Sequence, residues 1–230
     1  MKVELINEHK IADVNENESL FDLLKKYKDD YTGYLGVKVN NRLQELVNGK
    51  FKENDKIEFL SIEDNDGHRI YVRTLTMIYI KACKDVFPGI GVEIKHSLNK
   101  GLYTELEHEH LVNKMQLKNI KKRMQEIIDE KKPISTMFLS LNKAEKIFTE
   151  QGMNDKVQLL KYWNGDTIRV YELDGYYDTF YGYLAPNTEF IDKFDLRLFY
   201  PGIILNYPTQ ESNFELPENI EQKKLYKVFK

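Results

Sequence analysis

Apolar and polar residues alternate with the two-residue period of β-strands near the start of the chain, on either side of one segment with helical periodicity. The strand-like runs are 2–6, 10–15, 35–41 and 56–62. Ser19 is a typical N-cap residue, and the apolar stripe that follows it is Leu20, Leu23, Leu24 and Tyr27. This order of two strands, a helix and two strands predicts a small β-grasp (ubiquitin-like) domain over residues 1–62.

A polar, turn-forming stretch at 63–67 predicts a domain boundary, and the periodicity changes after it. Apolar residues then recur every three or four positions in four segments, which predicts helices at 68–86, 109–132, 142–151 and 154–163. Strand-like runs lie between and after these segments: 91–98, 101–107, 136–141, 166–173 and several within 176–207. This mixture of helices and strands predicts a second domain of the α+β class over 68–212, followed by a polar tail over 213–230.

Composition narrows the class of protein. Apolar residues make up 41% of the 230 residues and charged residues 31%, a balance typical of a folded, water-soluble chain. The 34 basic and 37 acidic side chains give a net charge of −3, which does not indicate a strongly basic nucleic-acid binder but allows a local basic face. No apolar run approaches the roughly 20 residues of a membrane span, and no apolar signal core follows Met1. We therefore expect a cytoplasmic protein with no membrane partner.

Aromatic residues and the single cysteine have structural explanations. The chain has 15 Tyr and 12 Phe, and 11 of these lie within 171–207. This clustering favours sheet packing over a stacking platform for bases, because the overall charge is slightly negative. Cys83 excludes an intramolecular disulfide and a multi-cysteine zinc site. Its place beside the apolar stripe of a helix favours a packed side chain over a nucleophile.

The motifs of several common active sites are absent from the sequence. There is no GxxxxGK[ST] phosphate loop, no GxSxG elbow and no HExxH, and the one GxG, Gly89 to Gly91, lacks the rest of a dinucleotide fingerprint. We therefore expect no cofactor on this chain.

Several stretches resemble parts of known proteins. Residues 1–62 resemble a TGS domain, the β-grasp module at the front of threonyl-tRNA synthetases. RTLTMIYIKACKDVFPG at 73–89 resembles the first helix of the editing domain of threonyl- and alanyl-tRNA synthetases. The following strand pair, residues 143–163 and YYDTFYGYLAPNTEFIDKFDL at 176–196 match later parts of that domain in order. The resemblance implies an editing-like α+β domain over 68–212.

The departures from the editing pattern are informative. The resembled domains carry two histidines four residues apart on the first helix, and a cysteine and a histidine four apart in the later segment. The aligned residues here are Arg73, Met77, Phe180 and Leu184. None of these is a good zinc ligand, so we expect no metal site and no catalytic residue among them.

Other pocket positions of the resembled domain match in residue type: Tyr103, Lys156 and Asp178. His96 is either structural or part of the same pocket. These matches leave two interpretations open. The residues either form a pocket that binds a ligand without hydrolysing it, or have structural roles such as capping a turn. In the first, Arg73 would hold an anion such as a phosphate or carboxylate.

The helix version IYVRTLTMIYIKACKDVFPG is most similar to that of bacterial nucleoside kinases of the uridine kinase and phosphoribulokinase type, in which TGS and editing-like domains precede a kinase domain. EQKKLYKVFK at 221–230 resembles the segment before that domain. The resemblance implies a regulatory region that binds a small molecule, a nucleotide or an RNA end. ATP and magnesium would bind only to a kinase domain that follows it covalently. Two alternatives remain: a trans-editing hydrolase of mischarged tRNA, and a structural dimerisation region.

Overall fold

A computed structural model describes residues 1–15, 17–98, 101–107 and 111–217. Residues 99–100 between two predicted strands, the first two residues of the predicted helix 109–132, and residues 218–230 of the predicted polar tail lie outside the described residues. None of the helices in the described ranges is long and apolar enough to cross a membrane.

The first part of the chain forms a mixed five-stranded sheet with one helix. Its elements are β1 (Lys2–Leu5), β2 (Lys10–Asp13), α1 (Leu20–Tyr27), β3 (Tyr34–Val39), β4 (Arg42–Gln44) and β5 (Lys56–Ser61). The strand order is β2-β1-β5-β3-β4, with β1 and β5 parallel at the centre and the other pairs antiparallel. This is the predicted β-grasp arrangement.

Local sequence explains the helix and one strand that sequence analysis missed. The Ser19 hydroxyl accepts a hydrogen bond from the Asp22 backbone in a capping box, and α1 buries its apolar stripe. Strand β4 was not predicted. The chain turns tightly at Asn40 and Asn41, whose φ angles are 48° and 63°, and asparagine tolerates that left-handed region. A three-residue strand carries too short a periodic signal to be recognised.

The rest of the described chain is α+β, as predicted. Its elements are α2 (Asn65–Val86), β6 (Val92–Leu98), β7 (Gly101–Leu106), α3 (Lys114–Asp129), β8 (Ser135–Ser140), α4 (Leu141–Glu150), α5 (Asn154–Leu160), β9 (Thr167–Leu173), β10 (Tyr176–Asp178), β11 (Asp195–Phe199) and β12 (Gly202–Asn206). They include two antiparallel sheets, of order β10-β9-β8 and β11-β12-β7-β6.

Helix α2 differs from the prediction in its start and its burial. It begins at Asn65, inside the stretch predicted as a boundary. Every residue from Thr74 to Cys83 is buried, so this middle part of α2 is enclosed on all sides rather than along one stripe. The hydroxyls of Thr74 and Thr76 donate to carbonyls one turn earlier, which satisfies these polar groups inside the core.

The β-grasp part and the remainder share one continuous apolar core. Ile70 of α2 lies so close to β3 that its Cδ1 would be 2.6 Å from a Cβ at Gly36. On another side, the rings of Phe21, Tyr31 and Phe190 pack together with centroids 5.9–6.1 Å apart. The Tyr31 hydroxyl also donates to Glu189 Oε1 at 3.0 Å.

Candidate functional site

The candidate site lies where the segment 178–185 passes between α2 and β9. The Ala185 amide donates to the Thr74 hydroxyl of α2 at 2.9 Å. The Thr179 hydroxyl donates to the Arg169 carbonyl of β9 at 2.8 Å. These two bonds hold the segment 178–185 at both ends and leave Gly182 between them.

Arg73 packs directly on Gly182. The φ angle of Gly182 is +123°, and a Cβ on this residue would lie 2.5 Å from Nη1 of Arg73. In the described ranges, Arg73 has no hydrogen bond or ion pair. Burial lowers the pKa of Arg73, and the nearby positive charges of Arg69 and Arg169 lower it further. A guanidinium nevertheless stays protonated in proteins, so a permanent charge is held here with no ion-pair partner among the described residues.

A second guanidinium, that of Arg169, reaches the same glycine from β9. Its Nη2 donates to the Gly182 carbonyl at 2.9 Å, and its Cζ lies 4.6 Å from the centroid of the Tyr183 ring. Its Nε is buried and has no hydrogen-bond partner within the part of the chain that the structure describes. Arg169 was not among the predicted site residues, because in the run TIRVYEL it occupies a polar position of an alternating strand, which indicates only solvent exposure.

The β-grasp part contributes Glu45 to the edge of the site. The Tyr171 hydroxyl lies 3.0 Å from both Glu45 Oε1 and the Gly182 carbonyl oxygen, and the Thr136 hydroxyl donates to Glu45 Oε1 at 3.2 Å. Burial and the charge of Glu45 raise the pKa of Tyr171, so its hydroxyl stays neutral. The hydroxyl of Tyr171 has one proton, which these two acceptors share. No motif in the sequence indicated Glu45 or Tyr171.

Asp178 and Lys156 face each other rather than an open pocket. Asp178 is 2% exposed, and its Oδ1 lies 3.1 Å from Lys156 Nζ. Oδ1 also accepts from the Thr179 amide, and Oδ2 accepts from the Tyr176 hydroxyl, both at 2.7 Å. Burial, with the charge of Asp178, raises the pKa of Tyr176 and keeps it a donor. Both carboxylate oxygens are therefore occupied by protein groups.

The other three residues aligned with the editing ligands are Met77, Phe180 and Leu184. Their side chains are apolar and pack in apolar surroundings. Met77 is fully buried in the core. Leu184 is nearly buried and contributes an apolar side chain to the wall of a cavity beside Glu45 and Thr136. The Phe180 ring packs edge-on against Tyr171, with centroids 6.4 Å apart. Among the described residues, no group of three or more His, Cys, Asp or Glu side chains is placed to hold a metal ion.

The two remaining candidates, His96 and Tyr103, lie elsewhere, on the sheet β11-β12-β7-β6. Thr104 faces α2, where its hydroxyl is 2.7 Å from that of Tyr79, so its neighbour Tyr103 points to the opposite face. There Tyr103 packs against Phe199 and Ile204. The His96 ring lies 5.4 Å from the Tyr103 ring. The structure thus divides the candidate residues between two places and does not bring these two beside Arg73 or Lys156.

Comparison with known proteins gives one consistent similarity. No model of a known protein family matches the chain. Among curated proteins, it is similar to the threonine–tRNA ligase of Oceanobacillus iheyensis, 25% identical over 163 residues. That of Natranaerobius thermophilus is 29% identical over 143 residues, and that of Clostridium tetani 24% over 185 residues.

These matches cover 70%, 62% and 80% of this chain but only 25%, 22% and 29% of the respective relatives. The chain therefore spans about a quarter of the length of the proteins it resembles. The matched region is threonyl-tRNA synthetase-like, and its α+β elements fit a TGS domain followed by an editing-like domain.

Proposed function

We propose that this threonyl-tRNA synthetase-like chain is a ligand-binding, regulatory region with a degenerate editing pocket and no hydrolytic activity of its own. The observation that carries the proposal is that Lys156 and Asp178, the two residues that match the editing pocket in type, contact each other. Both carboxylate oxygens of Asp178 are engaged, by Lys156, Tyr176 and Thr179, and the residue is 2% exposed, which disfavours activation of a substrate water.

The substituted positions support the same conclusion. Hydrolysis of an aminoacyl ester needs an activated water, and a general base contributes roughly 10²–10⁴-fold to such a step. Met77, Phe180 and Leu184 carry no group that can accept a proton, and Arg73 keeps its proton. What these side chains do offer is a positive charge in an apolar setting, which suits binding rather than bond cleavage.

The regulated partner in this proposal is a nucleoside kinase-like domain that follows the chain covalently. Its support is the sequence of the helix segment 70–89 and of the segment 221–230, both described above. ATP and magnesium would bind to that domain. Reading the gene beyond Lys230 tests this part: a reading frame that continues into GxxxxGK[ST] supports it, and a stop codon after Lys230 contradicts it.

A thermal-shift screen with nucleosides, nucleotides and amino acids tests the binding function directly. A ligand at about 100 times its Kd stabilises the folded state by roughly 2.7 kcal/mol, which is a clear shift in Tm. We expect at least one of these classes to stabilise the chain. Failure of all of them at millimolar concentration would contradict a small-molecule role.

The second candidate function is trans-editing, the deacylation of mischarged tRNA. It is favoured by the similarity to threonine–tRNA ligases and by the matching residue types at Lys156 and Asp178. It requires Asp178 or Lys156 to leave their mutual contact and activate water. It therefore predicts turnover that is lost in Asp178→Asn, whereas the binding function predicts no turnover.

A further inference from the structure

Two positive side chains meet at one residue of the candidate site without an acidic partner. Arg73 lies on the α-carbon side of Gly182, and Arg169 donates to its carbonyl. Neither arginine forms an ion pair with any residue in the described part of the chain. Like charges held close together repel each other, so an anion that contacted both guanidinium groups would stabilise this arrangement.

The acidic groups in the neighbourhood are already engaged. Asp66 lies 3.5 Å from Arg69 and 3.6 Å from Lys38. Glu45 accepts hydrogen bonds from Tyr171 and Thr136. Because the donors to Glu45 are neutral, it keeps its negative charge, but among the described residues neither Glu45 nor Asp66 forms an ion pair with Arg73 or Arg169. A planar guanidinium fork is suited to bidentate contacts with phosphate.

Exposed aromatic rings border the arginine pair. Tyr181 precedes Gly182 and is 92% exposed. Phe138 is 71% exposed and lies directly opposite Arg169 in the β8–β9 ladder, so the two side chains share one face of the sheet. Rings beside basic groups can stack on a nucleobase, since every base offers a flat face.

We propose that Arg73 and Arg169 bind the terminal phosphate of a nucleotide whose base stacks on Tyr181 or Phe138. This inference rests on the proposed binding function and names the ligand class of the same site. The shared chemistry is a phosphate monoester on a nucleoside. Its source is either a free nucleoside monophosphate or the phosphorylated end of an RNA strand.

Calorimetric titration of the full 230-residue chain tests this assignment. The probes are AMP, CMP, the matched nucleosides adenosine and cytidine, and an RNA trinucleotide with and without a 5′-phosphate. We expect each phosphorylated probe to bind at least tenfold more tightly than its dephosphorylated counterpart, and the difference to shrink at high salt. The tighter of AMP and the phosphorylated trinucleotide identifies the source.

Variants locate the site. Arg73→Lys keeps the charge but loses the fork, and we expect the tighter phosphorylated probe to bind roughly ten- to hundredfold more weakly. Tyr181→Ala should weaken binding by roughly fivefold or more through lost stacking. Arg42→Lys makes the same change at an exposed arginine of the β-grasp sheet and should bind like the wild type. Circular dichroism confirms that each variant is folded.

Three outcomes would overturn the assignment: equal binding of phosphorylated and dephosphorylated probes, no binding of either at millimolar concentration, or unchanged binding in the folded Arg73→Lys variant. Stabilisation of the chain by an amino acid or a nucleoside, together with equal binding of phosphorylated and dephosphorylated probes, would leave the binding function intact and reject only the phosphate site. Deacylation of tRNA would reject the non-catalytic function, whatever the outcome of the phosphate titration.

Discussion

Among single residues, Gly182 has the most constrained position in the site. Its φ of +123° lies in a region that residues with a side chain rarely adopt, and the Arg73 guanidinium occupies the space of a Cβ. The glycine thus allows both arginines to contact one point of the backbone.

Replacing Gly182 with alanine should affect both stability and binding. Backbone strain is expected to cost about 1–3 kcal/mol in urea unfolding, and the new methyl group should displace Arg73 and weaken binding of phosphorylated nucleotides. Gly152→Ala is the matched control, because Gly152 also has a positive φ, of 72°, but nothing lies within 4 Å of its Cβ position. A folded Gly182→Ala variant with wild-type affinity would show that the close approach of Arg73 is unimportant for binding.

Cys83 gives a second prediction about one residue. Burial raises the pKa of its thiol to about 12, so almost none of it is thiolate at neutral pH. We expect an aromatic disulfide reagent to label less than a tenth of Cys83 in the native protein within an hour, and all of it in urea. Rapid native labelling would contradict the packing of α2 described above.

The connection between β4 and β5 joins the β-grasp sheet to the site through a single carboxylate. Glu45 accepts from Tyr171, and Tyr171 also reaches the Gly182 carbonyl. Since one hydroxyl proton serves both acceptors, a change at Gly182 should alter the bond to Glu45. This element is therefore the physical link between the two parts of the chain at the candidate site.

A double-mutant cycle measures that link. Glu45→Gln and Tyr171→Phe should each lower the free energy of unfolding, and together by less than their sum, with a coupling of about 0.5–3 kcal/mol. Glu53→Gln, an exposed glutamate in the same connection, should be additive with Tyr171→Phe. Additivity of the Glu45 pair would mean that the contact contributes nothing to stability.

Most elements of this chain are predictable because their periodic signal is local. The capping box at Ser19 and the stripe of α1 follow from the sequence. Helix α3 starts at Lys114 instead of 109, because Asn113 with Gln116 forms the capping box that sets its start. The site is less predictable, because the contact of Arg169 with Gly182 depends on how segment 178–185 folds back on β9, and no local pattern encodes that.

At the scale of the whole molecule, the contact between Tyr31 and Glu189 helps to fix the β-grasp part on the remainder. Burial raises the pKa of Glu189, but hydrogen bonds from Lys131, Asn187 and Tyr31 outweigh it and hold the pKa below its usual value. A lowered carboxylate pKa adds stability above the unfolded pKa, and that stability is lost as the pH falls through the folded pKa.

Glu189→Gln should therefore destabilise the protein by about 1–2 kcal/mol at pH 7, through loss of charge-assisted hydrogen bonds. The difference from wild type should shrink as the pH falls below about 4, where the wild-type carboxylate also becomes neutral. Urea unfolding at a series of pH values measures this. Glu150→Gln is the control, since its ion pair with Lys146 is exposed. If the free energies of unfolding of wild type and Glu189→Gln differed by the same amount at every pH, the lowered pKa of Glu189 would be contradicted.

If the editing-like pocket binds a ligand without hydrolysing it, the chain should show no activity in a deacylation assay. Threonine tRNA mischarged with a labelled amino acid is incubated with the chain, with folded Asp178→Asn and Lys156→Met variants, and with buffer alone. Mild alkali, which hydrolyses the ester, confirms that the substrate is competent. We expect the amino acid to be released at the same rate with each of the three proteins as in buffer alone. Release well above that rate by the wild type, lost in Asp178→Asn, would contradict binding without hydrolysis and establish a hydrolase.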